Sequence, residues 1–147
     1  KAMGDLAAYY RGFSSAKFVA VTGSVGKTTT KEFIYAVASA SFKTHKTQGN
    51  YNNELGLPLT IFGIEPDDKV VVLEMGMSAL GEIEHMSKIA RPDIALVTNS
   101  GTSHLASLGT YRKSRLEGEH LQSEARDSRG NERRRVRHTQ RRRAASL

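Results

Sequence analysis

Apolar residues in this chain fall into short unbroken runs that alternate with stretches of helical spacing. Phe18 to Thr22, Val70 to Leu73 and Ile94 to Val97 are runs without polar interruption, the pattern of parallel strands buried on both faces. Between them the spacing predicts helices. Asp5 to Phe13 places Leu6, Tyr9, Tyr10 and Phe13 on one stripe, and Lys27 to Ala40 places Phe33, Ile34, Val37 and Ala38 toward a sheet. Leu55 to Ile61 reads as a short helix entered through Glu54, and Gly81 to Ile89 as one stopped by Arg91-Pro92. Strands alternating with helices imply βαβ units, hence an α/β fold with a mostly parallel sheet flanked by helices. No internal repeat is present.

Composition divides the chain. Residues 1–110 carry ten Lys/Arg and ten Asp/Glu, whereas residues 111–147 carry twelve and five, and so hold the whole net charge of +7. The first part is long and apolar enough for one modest core. The second lacks aliphatic periodicity and contains Arg133-Arg134-Arg135 and Arg141-Arg142-Arg143, a composition that predicts disorder. The domain reading is therefore a lead-in helix over 1–16, an α/β domain over 17–110 and a basic tail over 111–147. With no cysteine, disulfides and thiolate zinc sites are excluded. Neither a signal peptide nor an apolar run of membrane-spanning length occurs, which predicts a cytoplasmic protein that takes no membrane partner. The opening at Lys1, without an initiator Met, predicts that sequence is missing upstream.

The chemistry concentrates where strands end. After the first strand comes Thr22-Gly23-Ser24-Val25-Gly26-Lys27-Thr28-Thr29, a glycine-bearing loop running into a helix. Loop amides and a helix N-terminus offer N–H donors and positive dipole to an anion, Lys27 adds a full charge, and Thr28 places a hydroxyl where phosphate loops hold Mg²⁺. Val21 stands at the first glycine position of the commoner G-x-x-x-x-G-K-[ST] pattern, yet the nest, the lysine and the hydroxyl remain. Ligands of open parallel sheets bind beyond the carboxyl ends of the strands, and two further strand ends are polar: Glu74, and Asn99 to His104. A carboxylate ending an apolar run is costly to bury alone. Glu74 is thus either a metal ligand or a strand-end carboxylate paired with Lys or Arg. His104 lies in a loop, where a histidine is either merely solvated or a ligand. The loop Gln48 to Glu54, with Asn50, Asn52 and Asn53, either binds a polar substrate or makes Asx turns.

These stretches, from Val21–Glu32 through Gly49–Thr60, Glu74–Ser78, Gly81–Ile83 and Ala90–Ala95 to Thr98–Leu105, resemble the Mur ligase family of peptidoglycan synthesis in order and content. The asparagine block and Glu74-Met75-Gly76-Met77-Ser78 resemble its D-Ala-D-Ala-adding branch in particular. The resemblance implies a partial central ATPase domain. It implies an ATP-dependent ligase that phosphorylates the carboxylate of UDP-MurNAc-tripeptide, after which the amine of D-Ala-D-Ala attacks the acyl phosphate. By family position Lys27 contacts the β- and γ-phosphates and Thr28 the first Mg²⁺, while Glu74 ligates magnesium. His104 ligates or flanks a second Mg²⁺, and is counted with Lys27 as catalytic. Thr22, Gly23, Ser24, Val25, Gly26, Thr29 and Asn99 line the nucleotide, and Asn52 and Asn53 the muramoyl-peptide.

The likeness stops after Gly109-Thr110, where the family expects a helix with a lysine-glycine motif. For Tyr111 to Leu121, codons exist that, shifted by one nucleotide, spell Ile-Glu-Lys-Val-Ala-Ser-Lys-Gly-Ser-Ile-Phe. Asn131 to Arg135 can likewise be recoded as Met-Asn-Ala-Asp-Glu, so the tail reads as out of frame. The family's flanking domains also find no counterpart in this sequence, so the expectation for the chain alone is weak Mg-ATP binding without turnover. The alternative is a phosphate-loop ATPase or inert nucleotide-binding remnant with a basic tail for nucleic acid. That tail lacks interleaved aromatics, and adventitious, salt-sensitive binding is the expected behaviour.

Overall fold

The computed structural model describes residues 1–99. His104, the remainder of the α/β segment and the tail over 111–147 lie outside the described residues. Among the described residues eight elements follow in chain order: α1 (Ala2–Arg11), β1 (Lys17–Thr22), α2 (Lys27–Ser39), β2 (Thr44–Lys46), α3 (Gly56–Phe62), β3 (Val70–Glu74), α4 (Glu82–Ala90) and β4 (Ile94–Val97). The strands form one sheet in the order β2-β3-β1-β4, and every pairing is parallel. The three apolar runs are strands, as their lack of polar interruption predicts. β2 was not predicted. It has only three residues, Thr44-His45-Lys46, none apolar, and it becomes a strand because β3 offers it a free edge.

Alternation along the strands sends Phe18, Ala20, Val71, Leu73 and Met75 to one face, where Leu57 and Ile61 of α3 and Ile83, Met86 and Ile89 of α4 complete a buried cluster with Ala7 of α1. Helix α2 covers the other face, lying against β1, β2 and β3.

Two helical faces differ from the sequence expectation. On α1 the stripe Leu6, Tyr9, Tyr10 and Phe13 is exposed, and Gly4 and Ala7 are buried instead. Small residues win here because α1 approaches α4 closely: a Cβ on Gly4 would stand 2.9 Å from Ile89 Cδ1. The displaced aromatics pair among themselves, Tyr9 with Phe13 and Tyr10 with Phe62 of α3, both edge-to-face. On α2 the row against the sheet is Lys31, Ile34, Tyr35 and Ala38, while Phe33 and Val37 are 69% and 75% exposed. A buried lysine takes the place that pattern reasoning reserves for an apolar side chain.

Arg11 joins the lead-in helix to the domain. Its guanidinium donates to Ala90 O (2.8 Å) and Arg91 O (3.2 Å), lies 3.6 Å from the Phe18 ring centroid and pairs with Asp93 at 3.5 Å. Asp93 in turn accepts from Phe18 N at 2.8 Å. Arg91 ends α4 with φ 43°, a left-handed conformation uncommon for a side chain of this size, and its own guanidinium reaches Ala8 O at 2.8 Å.

Leu73→Ala should cost about 2–5 kcal/mol, because it opens a cavity in the middle strand of the cluster. Phe33→Ala should stay within about 0.5 kcal/mol, as expected of an exposed position. Urea denaturation followed by circular dichroism measures both, and equal losses would contradict the assigned face of α2.

Candidate functional site

The register of the sheet brings three strand ends level. Val21 stands opposite Glu74, and Thr22 opposite Val97, so the glycine loop, Glu74 and the Thr98-Asn99 segment share one edge. The loop turns by means of two glycines with positive φ, Gly23 at 134° and Gly26 at 86°. At Gly23 a side chain is excluded twice over, since a Cβ would stand 2.1 Å from Thr98 Oγ1 and 3.0 Å from Asn99 backbone.

Asn99 fastens the loop. Its Oδ1 accepts from Ser24 N and Val25 N, each at 3.0 Å, and its backbone oxygen accepts from Ser24 N at 3.2 Å. Thr98 Oγ1 donates to Val25 O at 2.7 Å. Thr22 is held by its hydroxyl to Met75 O at 2.8 Å, binding the ends of β1 and β3 together. Gly26 is the N-cap of α2, and no side chain caps that helix, so its first amides and dipole point to the edge of the sheet. Lys27 folds back over the loop, donating to Gly23 O at 2.8 Å and Ser24 O at 3.5 Å. Thr29, two residues further, belongs to the first turn of α2.

Glu74 lies at the centre, 2% exposed. Thr28 Oγ1 donates to its Oε1 at 3.1 Å, and Asn52 Nδ2 to the same oxygen at 3.0 Å. Its backbone N–H donates to Thr47 Oγ1 at 3.0 Å. Oε2 faces Lys31 Nζ at 3.5 Å and, among the described residues, makes no hydrogen bond. Lys31 also reaches Glu32 Oε1 at 3.3 Å, and Glu32 is bound by Lys46. The Lys46 ammonium holds the Glu32 carboxyl below the usual carboxylate range, against an opposing effect of burial and with Lys31 adding to the lowering.

The Mur ligase middle domain matches residues 21–117. This chain belongs to the Mur ligase family. It is 48% identical over 109 residues to the UDP-N-acetylmuramoyl-tripeptide–D-alanyl-D-alanine ligase of Bacillus subtilis, covering 74% of this chain and 24% of that protein. The namesake of Synechocystis is 47% identical over 105 residues, covering 71% of this chain and 23% of that protein. Among solved structures, MurF from Acinetobacter baumannii superposes with TM-score 0.79 at 37% identity, covering 82% of this chain and 27% of that one. MurF from Thermotoga maritima in complex with ADP superposes with TM-score 0.76 at 40% identity, covering 82% and 28%. The chain thus spans about a quarter of the length of the curated relatives it matches.

Within this Mur ligase domain the structure brings Thr22, Gly23, Ser24, Val25, Gly26, Lys27, Thr28, Glu74 and Asn99 to one edge. The two asparagines part company. Asn52 turns its amide onto Glu74, whereas Asn53 Oδ1 accepts from Leu55 N and Gly56 N at 3.1 and 2.8 Å, closing the turn into α3. Of the two sequence alternatives for Glu74, the structure shows the pairing with a lysine, Lys31 Nζ standing 3.5 Å from Oε2, while Oε1 takes the Thr28 hydroxyl. Lys31, Thr47 and Thr98 were missed. Lys31 left a trace, standing one helical turn after Lys27 on the same side of α2. Thr47 and Thr98 left none, because their roles depend on strand register.

The donor set suits Mg²⁺ more than a protein-only metal cage. Among the described residues no three His, Cys, Asp or Glu side chains gather as a metal site. One hydroxyl and one carboxylate with an unbonded buried oxygen match an ion that completes its shell with phosphate oxygens and water.

Gly23→Ala should destabilise by about 2 kcal/mol or more, because strain and a steric clash add. Gly26→Ala, whose Cβ would meet nothing within 4 Å, should cost about 1 kcal/mol from backbone strain alone. Chemical denaturation of both variants checks the order.

Proposed function

We propose that this chain is the nucleotide-binding part of an ATP-dependent cytoplasmic ligase of peptidoglycan precursor synthesis, joining D-Ala-D-Ala to UDP-MurNAc-tripeptide. The observation that carries the reading is the Thr28–Glu74 contact at 3.1 Å beside the uncapped start of α2. It sets a hydroxyl and a carboxylate beside the first amides of α2 and the Lys27 ammonium. The ADP complex of the Thermotoga maritima relative, at 40% identity, supports nucleotide as the ligand. The names of the Bacillus subtilis and Synechocystis relatives support the substrates.

In this reading the tripeptide carboxylate attacks the γ-phosphorus of ATP, giving an acyl phosphate and ADP. The amine of D-Ala-D-Ala then attacks the acyl carbon, phosphate departs, and the amine loses its proton. Lys27 leaves its loop carbonyls for the β- and γ-phosphate oxygens, where a fixed cation offsets charge that spreads in the transition state. The amides of α2, including that of Thr29, hold the phosphates, and Asn99 keeps the loop in its anion-receiving shape. Thr28 and Glu74 hold Mg²⁺, which supplies charge neutralisation across the phosphates. Asn52 orients Glu74 from the side on which the muramoyl-peptide lies, and Asn53 shapes the loop there. His104 serves the acyl-phosphate end. The basic tail takes no selected part.

Replacing the aligned segment of the Bacillus subtilis ligase with this chain's residues tests the reading. The chimera should release phosphate only when ATP, the UDP-MurNAc-tripeptide and D-Ala-D-Ala are all present. Lys27→Ala or Glu74→Gln in the chimera should lower kcat/KM by about 100-fold or more. Phosphate release that ignores the two acceptor substrates would instead mark a plain ATPase.

A further inference from the structure

Lys31 is a charged side chain that the phosphate-binding machinery does not account for. It is 2% exposed, on the sheet side of α2, and an ammonium is desolvated there only at considerable cost. Its two partners are unlike. Glu74 Oε2, at 3.5 Å, is dry and has no hydrogen bond, whereas Glu32 Oε1, at 3.3 Å, belongs to a side chain 47% exposed. Beyond Glu32 stands Lys46, itself 4.0 Å from the centre of the Tyr35 ring. Four charges therefore alternate from the flank of α2 inward, Lys46, Glu32, Lys31 and Glu74. Of the outer three only Lys31 reaches Glu74, and it faces the one carboxylate oxygen that no neutral donor satisfies. Thr28 and Asn52 are both spent on the opposite oxygen, Oε1.

We propose that Lys31 is a positioning residue, the resident counter-ion of Glu74. A divalent cation settling on Glu74 and Thr28 meets the Lys31 ammonium as a rival, so Lys31 sets how strongly nucleotide binding depends on metal. This inference rests on reading the site as a Mg-nucleotide site. Two consequences of opposite sign follow from charge alone. Without the Lys31 charge, the carboxylate is left uncompensated and attracts metal more strongly. Without the Glu32 charge, Lys31 is shared with no other carboxylate, bears wholly on Glu74 and repels the metal more. The Glu32 effect is the smaller, because water screens a half-exposed carboxylate.

The test measures ADP affinity by calorimetry in the 147-residue chain, once with Mg²⁺ and once with EDTA, and takes the ratio of the two. Lys31→Met should raise this ratio roughly tenfold over wild type, and Lys31→Arg should restore it. Glu32→Gln should lower it by about two- to threefold. A packing role for Lys31 would weaken ADP equally in both buffers and leave the ratio unmoved, which overturns the inference while the nucleotide-site reading stands. Changes of reversed sign overturn it as well. Should Lys31→Met fail to fold by circular dichroism, Glu32→Gln alone decides, since its side chain reaches solvent. A wild-type chain that binds ADP in neither buffer overturns the nucleotide-site reading itself, and the inference with it.

Discussion

A single buried carboxylate at the carboxyl end of a parallel strand organises this molecule. Glu74 terminates β3 with almost no access to water, and a charge so placed persists only when each side of it is answered. The answers come from four side chains on three stretches of chain: Thr28 and Lys31 on α2, Asn52 from the loop before α3, and Thr47, just after β2, on the backbone N–H. Each of those segments is consequently fixed relative to β3. Gly76 N donates to Asn52 O at 2.7 Å, so the asparagine loop is tied to the chain just beyond the carboxylate as well. What looks like a binding site is also the clasp that closes this edge of the sheet.

The rest of the scaffold delivers those groups to one place. Parallel pairing aligns strand ends of like direction, and so β1, β3 and β4 release their loops on a common edge. The loop after β1 is kept open by Asn99 and Thr98 from the neighbouring strand end. The backbone of the loop is thus held in shape by contacts within the protein. At the opposite end of the strands, Arg11 and Asp93 join α1, α4 and β1, anchoring the lead-in helix away from the chemistry.

Much of this was legible in the residues. The strands Val70–Leu73 and Ile94–Val97 and the helix after Gly26 follow from unbroken apolar runs and from glycine turn chemistry, both local in sequence. The glycine loop was equally legible, because the strand, turn and helix that form it are consecutive in sequence. Family membership adds the asparagine loop and Glu74 to the same picture. The orientation of α1 and α2 was not legible. Leu6, Tyr9 and Phe13 make as good a stripe as Gly4 and Ala7, and the choice went to whichever row lets α1 approach α4. On α2, an apolar pattern misplaced the buried row because one of its members, Lys31, is charged.

The sequence by itself determined the fold class, the glycine loop between β1 and α2 and the residue types offered at each strand end, since these depend on neighbours within a few positions. Only the tertiary structure decided that Asn52 would serve Glu74 while Asn53 closes a turn, that Thr47 and Thr98 would matter, and that Lys31 would lie dry against a carboxylate. The physical reason is register. Which side chains meet across strands, and which helical row is sealed from water, is set by how separate segments pack, and no pattern within any one segment contains that information.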